Sequence, residues 1–490
     1  MKRSCGILMH ISSLPSPYGI GTFGKEAERF ADWLKSAGQK YWQVLPIGPT
    51  GYADSPYQPF SSFAGNPLLI DPDDLVESGW LAKSSLDEAD YGADPAFVDF
   101  DKVSRSKMAL LREAFAGFTD DVGYTSFVID EQDWLEDYAL FTALKSKFGG
   151  KPYTQWDEDV KMRKPDALRH WREELGEEIK FVKFVQYVFW RQWDRFHRYC
   201  NKNGIQLIGD IPIYVSPDCA DVWAQPELFE LDEKHEPKRV AGVPPDYFSK
   251  TGQLWGNPLY NWQEMHKTGY KWWLQRIGKA QESFDMLRID HFRAFDTYYA
   301  IPAGELTAER GTWEKGPGME LFNAVKNDLG NVNIIAEDLG DIFESVKELL
   351  RDAGFPGMRV LQFGFNAEHA DNDHLPHNYP ANCCAYTGTH DNSTIMEWLR
   401  GADPRARAMA KSYVDQRLFE RFNMACVRTV YASPAALAVI PMQDILGLGK
   451  EARMNVPSTV GGNWKWRMLP GKLTAAKAEK LRVLAETYFR

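Results

Sequence analysis

Phe284–Phe295 reads FDMLRIDHFRAF, a short apolar run that ends in a burst of charge. At the two-residue period of a strand, Phe284, Met286, Arg288 and Asp290 share one face, and Leu287 and Ile289 point to the other. An arginine and an aspartate two apart, at the carboxyl end of a strand buried on both sides, are costly to place unless the charges are used. Taken alone, the pair reads as a structural ion pair capping a strand. The rest of the chain decides between that reading and a working one.

Outward from this stretch the same pattern recurs. Strands are expected at Ser4–Ser12, Lys40–Ile47, Gln206–Tyr214, Phe284–Phe292, Asn331–Leu339, Met358–Phe365, Asn382–His390 and Leu437–Leu446. Helical patterns intervene, among them Lys25–Ala37, Phe181–Asn203, Met319–Leu329, Ile342–Asp352, Arg405–Phe422 and Met424–Ala432. Several of the strands are apolar along most of their length, as parallel strands covered by helices must be. Eight such units predict an α/β fold, a (β/α)8 TIM-type barrel with mainly helical insertions in its βα loops and one catalytic unit over 1–490. A doubly wound open sheet would read similarly. Two segments leave the rhythm: 68–180, helical and charged, is expected as an insertion subdomain, and 215–262, which holds GVPPDYFSKTGQLWGNPLYNW, as an active-site loop insertion.

Composition narrows the partners. Net charge is −11 and there is no dense Lys/Arg run, so the electrostatic footprint of a nucleic-acid binder is missing. No run approaches the roughly 18 apolar residues of a membrane span, and the opening MKRSCGILMHISSLPSP meets His10 too soon for a signal segment. Six cysteines form neither a disulfide framework nor a CxxC spacing, which predicts reduced thiols and a cytoplasmic protein. Aromatic residues make up 13% of the chain, and flat apolar faces with a polar edge suit sugars, although a large core also consumes aromatics.

Polar residues collect at the predicted strand ends: Asp210, then Arg288 and Asp290, then Glu337 and Asp338, then Thr389, His390 and Asp391. Any one of them reads equally well as a helix cap, Asp391 and Asp338 in particular. Carboxylates on four of eight strands, all at the same end, are harder to explain that way. They suit acid/base and nucleophilic work on a neutral substrate, as in retaining glycoside chemistry. Arg288 beside Asp290 favours an ionised nucleophile, while Glu337, facing negative charge, gains the raised pKa of a proton donor. Asp391 would then hold sugar hydroxyls, with His291 and His390 as flanking donors. A divalent ion on Asp210, Asp290, His291, His390 and Asp391 is the rival reading, without any HExxH-type spacing to support it.

The motifs GDIPIYV, GVPPDYFSKTGQLWGNPLY, RIDHFRAF, IIAEDLG, HLPHNY and YTGTHDNST together resemble the amylomaltases, the 4-α-glucanotransferases of glycoside hydrolase family 77. The likeness runs from GILMHISSLPSPYGIGTFG to PSTVGGNWKWRM, essentially the whole chain. It implies a retaining double displacement with Asp290 as nucleophile, Glu337 as acid/base and Asp391 as transition-state stabiliser, and it selects Glu337 over Asp338. It places sugar contacts at Tyr57, Asp210, Arg288 and His390. Further substrate contacts are expected at Ser55, Asp54, Gln253, Asn257 and His291, with Tyr52 extending the donor groove. Tyr247, Phe248 and Trp255 are expected to exclude water and stack the acceptor, or else to pack the insertion on the barrel. The implied partners are α-1,4-glucans, maltooligosaccharides and glucose, with no organic cofactor, no required metal, no nucleic acid and no membrane. A monomer or a weak homo-oligomer is expected, and an α-1,4-glucan hydrolase with a wetter site is the alternative activity.

Overall fold

Eight short, fully or largely buried strands close into a parallel barrel in the computed structural model, which describes residues 2–245, 249–340, 342–365 and 370–490. In chain order the twelve strands of the described residues are β1 Ser4–Leu8, β2 Tyr41–Gln43, β3 Gln206–Ile211, β4 Arg239–Val243, β5 Gln253–Pro258, β6 Met286–Ile289, β7 Thr297–Pro302, β8 Thr312–Lys315, β9 Ile334–Ala336, β10 Gly357–Val360, β11 Cys383–Tyr386 and β12 Leu437–Pro441. The barrel runs β1-β12-β11-β10-β9-β6-β3-β2 and uses all eight strands expected from the sequence. β1 and β12 bury every residue, as their continuous apolar runs SCGIL and LAVIP require of strands covered on both faces.

Register sets the site. Asp210 of β3 pairs with Arg288 of β6, and Arg288 pairs with Ile335 of β9, so side chains two residues beyond these pairs point to the same mouth. Gly209 allows the close approach of β3 and the start of FDMLRIDHFRAF: a Cβ there would stand 2.3 Å from the Phe284 ring.

Between β2 and β3 the chain builds helices at Phe100–Ala116, Val122–Asp130 and Gln132–Lys147, then a 27-residue helix, Gly176–Lys202. That last helix starts five residues before the expected Phe181, because Glu177 and Glu178 fit a helix N-terminal turn as well as a linker. Its buried stripe, Phe181, Val185, Phe189, Trp193 and Phe196, is the apolar face that packs inward.

The segment 215–262 is not simply a loop. It contributes β4 and β5 to a four-stranded antiparallel sheet, order β5-β4-β7-β8, whose other two strands follow β6. The expected helix Arg405–Phe422 also divides: Pro404–Tyr413 ends before an irregular turn, and Phe422 opens the next helix. Among the described residues no helix is long and apolar enough to cross a membrane.

Candidate active site

The carboxyl ends of β3, β6 and β9 bring three acids and one arginine together. Arg288 donates through Nη1 to both oxygens of Asp210 at 2.7 Å and through Nη2 to Asp290 Oδ1 at 2.8 Å. Its Nε points at Met358 Sδ of β10, two strands away, at 3.4 Å. Burial is graded along this chain: the Asp210 and Arg288 side chains are 0% and 4% exposed, whereas Asp290 is 28% exposed. Asp210 and the guanidinium form a desolvated foundation, and Asp290 is the member that a ligand can reach.

Glu337, one residue past β9, is held by backbone. The His291 N–H donates to Oε2 at 2.6 Å and the Leu339 N–H to Oε1 at 3.0 Å. His291 reaches that position by adopting a left-handed conformation, φ 47°, which is uncommon for a residue with a Cβ. Burial, followed by the charge of Asp290, pushes Glu337 up to about 8, against the pull of Arg288 and the two amides. Asp290 is also raised above the usual aspartate value: burial outweighs Arg288, and Asp210 and Asp391 add to the rise. The expected effect of Arg288 is present, then, but it offsets burial rather than overcoming it. Asp290 has the guanidinium hydrogen bond and Glu337 does not, which favours the proton on Glu337.

Asp338 faces elsewhere. Its carboxylate accepts from the Met358 N–H at 2.6 Å and from Arg359 Nη1 at 3.0 Å, ties that join β9 to β10. The two adjacent acids of IIAEDLG thus have separate tasks, which alternation across a strand makes possible.

On the far side of the mouth, Asp391 is not a helix cap. The helix Ile395–Gly401 is capped by Thr394, whose side chain accepts from the Glu397 N–H at 3.1 Å. The Asp391 carboxylate is 43% exposed, lies 3.4 Å from His390 Nε2 and accepts from Asn455 Nδ2 at 2.7 Å. Arg453 Nη2 donates to the Asp391 carbonyl at 3.2 Å, and the Asn455 N–H to the His390 carbonyl at 3.1 Å.

Aromatic rings line the approach. Tyr57 donates to Asp210 Oδ2 at 2.9 Å and stacks on His390, with centroids 5.0 Å apart and planes at 16°. Trp464 leans on both rings, 5.7 Å from Tyr57 and 6.0 Å from His390. Trp255 of β5 meets the edge of His291 at 4.8 Å, and its indole N–H donates to Gln253 Oε1 at 3.2 Å. Burial and nearby Arg293 push His291 down to about 3, so its ring is neutral.

Of the residues expected from sequence, Tyr57, Asp210, Arg288, Asp290, His291, Glu337, His390, Asp391, Trp255 and Gln253 form one connected set. Asn257 is buried and spends its amide on the Val215 carbonyl at 2.7 Å, and Ser55 accepts from the Tyr57 N–H at 3.2 Å, so both shape the walls. Asp54 sits in a left-handed turn at φ 59°, its pKa raised by burial. Tyr247, Phe248 and the Tyr52 side chain lie outside the described residues. Among the described residues no group of three His, Cys, Asp or Glu side chains is placed to hold a metal ion.

Three members went unread in the sequence: Asn455, Arg453 and Trp464. They come from the irregular stretch after the last barrel strand, where no periodicity marks them. The motif PSTVGGNWKWRM, which contains Trp464, was the one available signal.

A closed parallel barrel whose carboxyl-end mouth carries acids from several strands is the architecture of a (β/α)8 enzyme. The chain belongs to the 4-alpha-glucanotransferase family, glycoside hydrolase family 77, whose profile matches residues 9–474. It is 48% identical over 494 residues to a 4-alpha-glucanotransferase of Streptococcus pneumoniae, covering 100% of this chain and 98% of that relative. It is 46% identical over 499 residues to one from Thermus thermophilus, covering 99% of each. The amylomaltase from Streptococcus agalactiae, solved in complex with acarbose, superposes with a TM-score of 0.97 at 42% identity, with both chains covered completely.

Proposed function

We propose that this protein transfers α-1,4-glucan segments from a donor to the 4-OH of glucose or of another glucan by a retaining double displacement. The observation that carries the mechanism is the pairing of an arginine-bonded, reachable Asp290 with a Glu337 whose carboxyl is pushed up to about 8. Retaining chemistry needs one carboxylate ionised for attack and the other protonated for departure.

In the first step Asp290 attacks the anomeric carbon, the glycosidic C–O bond breaks, and the departing oxygen takes the Glu337 proton. In the second step the acceptor 4-OH gives its proton to Glu337 as its oxygen forms the new C–O bond and Asp290 is released. Asp391, more exposed than either and fixed by Asn455, holds hydroxyls of the sugar being transferred. Tyr57, on Asp210, supplies the flat floor beneath it.

Transfer requires that sugar, rather than far more abundant water, meet the glucosyl enzyme. Trp255 against His291 forms one wall of that space. The relatives' shared name favours transfer over the hydrolase alternative. Segments 68–180 and 215–262 serve as supporting insertions on a single catalytic unit. Six unpaired, buried cysteines support a reducing, cytoplasmic setting. Incubation with maltotriose tests the function: longer maltooligosaccharides together with glucose are the expected products, and maltose plus glucose alone would refute transfer.

A further inference from the structure

The turn between the helices Pro404–Tyr413 and Phe422–Ala432 presents Leu418 and Phe419 to solvent at 85% and 97% exposure. An exposed apolar residue alone needs no explanation. Phe419, however, sits at φ 64°, a conformation that side chains with a Cβ rarely adopt, and the turn beneath it is braced by a largely buried ion pair. Arg428 Nη2 donates to the Val414 and Asp415 carbonyls at 2.9 Å each, and its Nε and Nη2 reach the two Glu420 carboxylate oxygens at 3.1 and 2.9 Å. Gln416 Nε2 adds a bond to the Glu420 carbonyl at 2.7 Å. A strained backbone held by buried charge keeps an unpartnered ring pointing outward.

The turn belongs to the catalytic face. The helix Phe422–Ala432 leads into β12, so it runs against the strands and begins near their carboxyl ends. Asn423 Nδ2 bonds the Asp444 carbonyl at 2.7 Å and Arg421 Nη2 the Gly447 carbonyl at 3.4 Å, both just beyond β12. From Gly447 the chain continues to Arg453 and Asn455, which hold Asp391. Two side chains offer far less than the roughly 800 Å² per partner of a stable protein interface. A sugar polymer needs only a flat apolar face for the C–H side of one ring.

We propose that the Leu418–Phe419 turn is an outlying subsite for long α-1,4-glucan chains, with Phe419 stacking a glucose ring distant from the bond being broken. The proposal rests on the function given above and deepens it. A donor too short to span from mouth to turn gains nothing from this contact.

Wild type, Phe419→Ala and Leu418→Ser are compared on maltotriose and on long-chain amylose with glucose as acceptor. The variants are expected to raise KM for amylose about threefold to tenfold, the scale of one aromatic contact, with the maltotriose constants unchanged. An unchanged amylose KM, or an equal change on both substrates, overturns the subsite. Binding is read separately by native electrophoresis through amylose: wild type is expected to be retarded and Phe419→Ala less so, and equal retardation overturns the proposal even if the wild type proves inactive on maltotriose. Sedimentation is expected to be identical for wild type and variants; a change in oligomeric state would assign the turn to self-association and overturn it as well.

Discussion

The two sides of the barrel mouth are built on opposite plans. On the β3–β6–β9 side, Asp210, Arg288 and Glu337 are buried, tied to one another or to backbone amides, and positioned by strand register. On the β11 side, Asp391 is nearly half exposed and is held by residues from a stretch with no regular structure. In the proposed mechanism charge placement and substrate grip are separate structural problems. Fixing a nucleophile in a desolvated site takes a rigid lattice of ion pairs, because a buried charge without its partner costs several kcal/mol. Gripping hydroxyls that move during the reaction takes a group close to solvent.

The effects of substitutions should follow the same division. Asp290→Asn removes the proposed attacking group while keeping its shape, and is expected to lower kcat by about 10⁴-fold or more with the melting temperature little changed. Near-normal turnover would reassign the nucleophile. Arg288→Met leaves Asp210 and Asp290 buried without a cation, and should cost about 3–5 kcal/mol in chemical unfolding as well as most of the activity. A variant as stable as wild type would mean that the foundation is not the arginine. Across the mouth, Asn455→Ala loses one hydrogen bond to a solvent-accessible carboxylate, so roughly a tenfold fall in kcat with unchanged unfolding is expected. An unfolding penalty as large as that of Arg288→Met would erase the contrast between the two sides. Smallest in its effect on rate is Asp338→Asn, which loosens the tie to Arg359 and the Met358 N–H and should lower stability while leaving kcat/KM near wild type.

The pH profile should have two limbs, one from each carboxyl group. In the proposed mechanism Glu337 acts as the acid while protonated, so kcat/KM should fall as pH rises through about 8. Asp290 as the proposed nucleophile must be ionised, and because its pKa is raised, activity should fall on the acid side at a pH above the usual aspartate range. Glu337→Gln should abolish the alkaline limb in the residual rate measured with a donor whose leaving group needs no proton. A limb that persists would belong to another group.

The β3–β6–β9 side was legible in the sequence because strand period and strand-end position are local properties. Phe284–Phe292 alternates, its charges fall at its end, and the barrel supplies the neighbours. The choice between Glu337 and Asp338 was not local: it depends on which face meets β10, and only Met358 and Arg359 in space decide it. The cap reading of Asp391 failed for a related reason, since Thr394 three residues on is an equally good cap. The antiparallel sheet stayed hidden because β4, β5 and β8 are half-exposed or broken by Gly and Pro, and their partners lie on both sides of β6. Asn455 and Trp464 had no period to reveal them.

In the proposed mechanism Asp290, held by Arg288, becomes covalently bonded to sugar while Glu337 carries the proton. Glu337→Gln mixed with a maltosyl fluoride, whose leaving group departs without protonation, isolates that step. One maltosyl unit per chain is expected, located by peptide mass spectrometry on the peptide containing Asp290 and persisting when glucose is added, because the second step has lost its base. An adduct on any other carboxylate, or turnover of the fluoride to a product of inverted configuration, would contradict it.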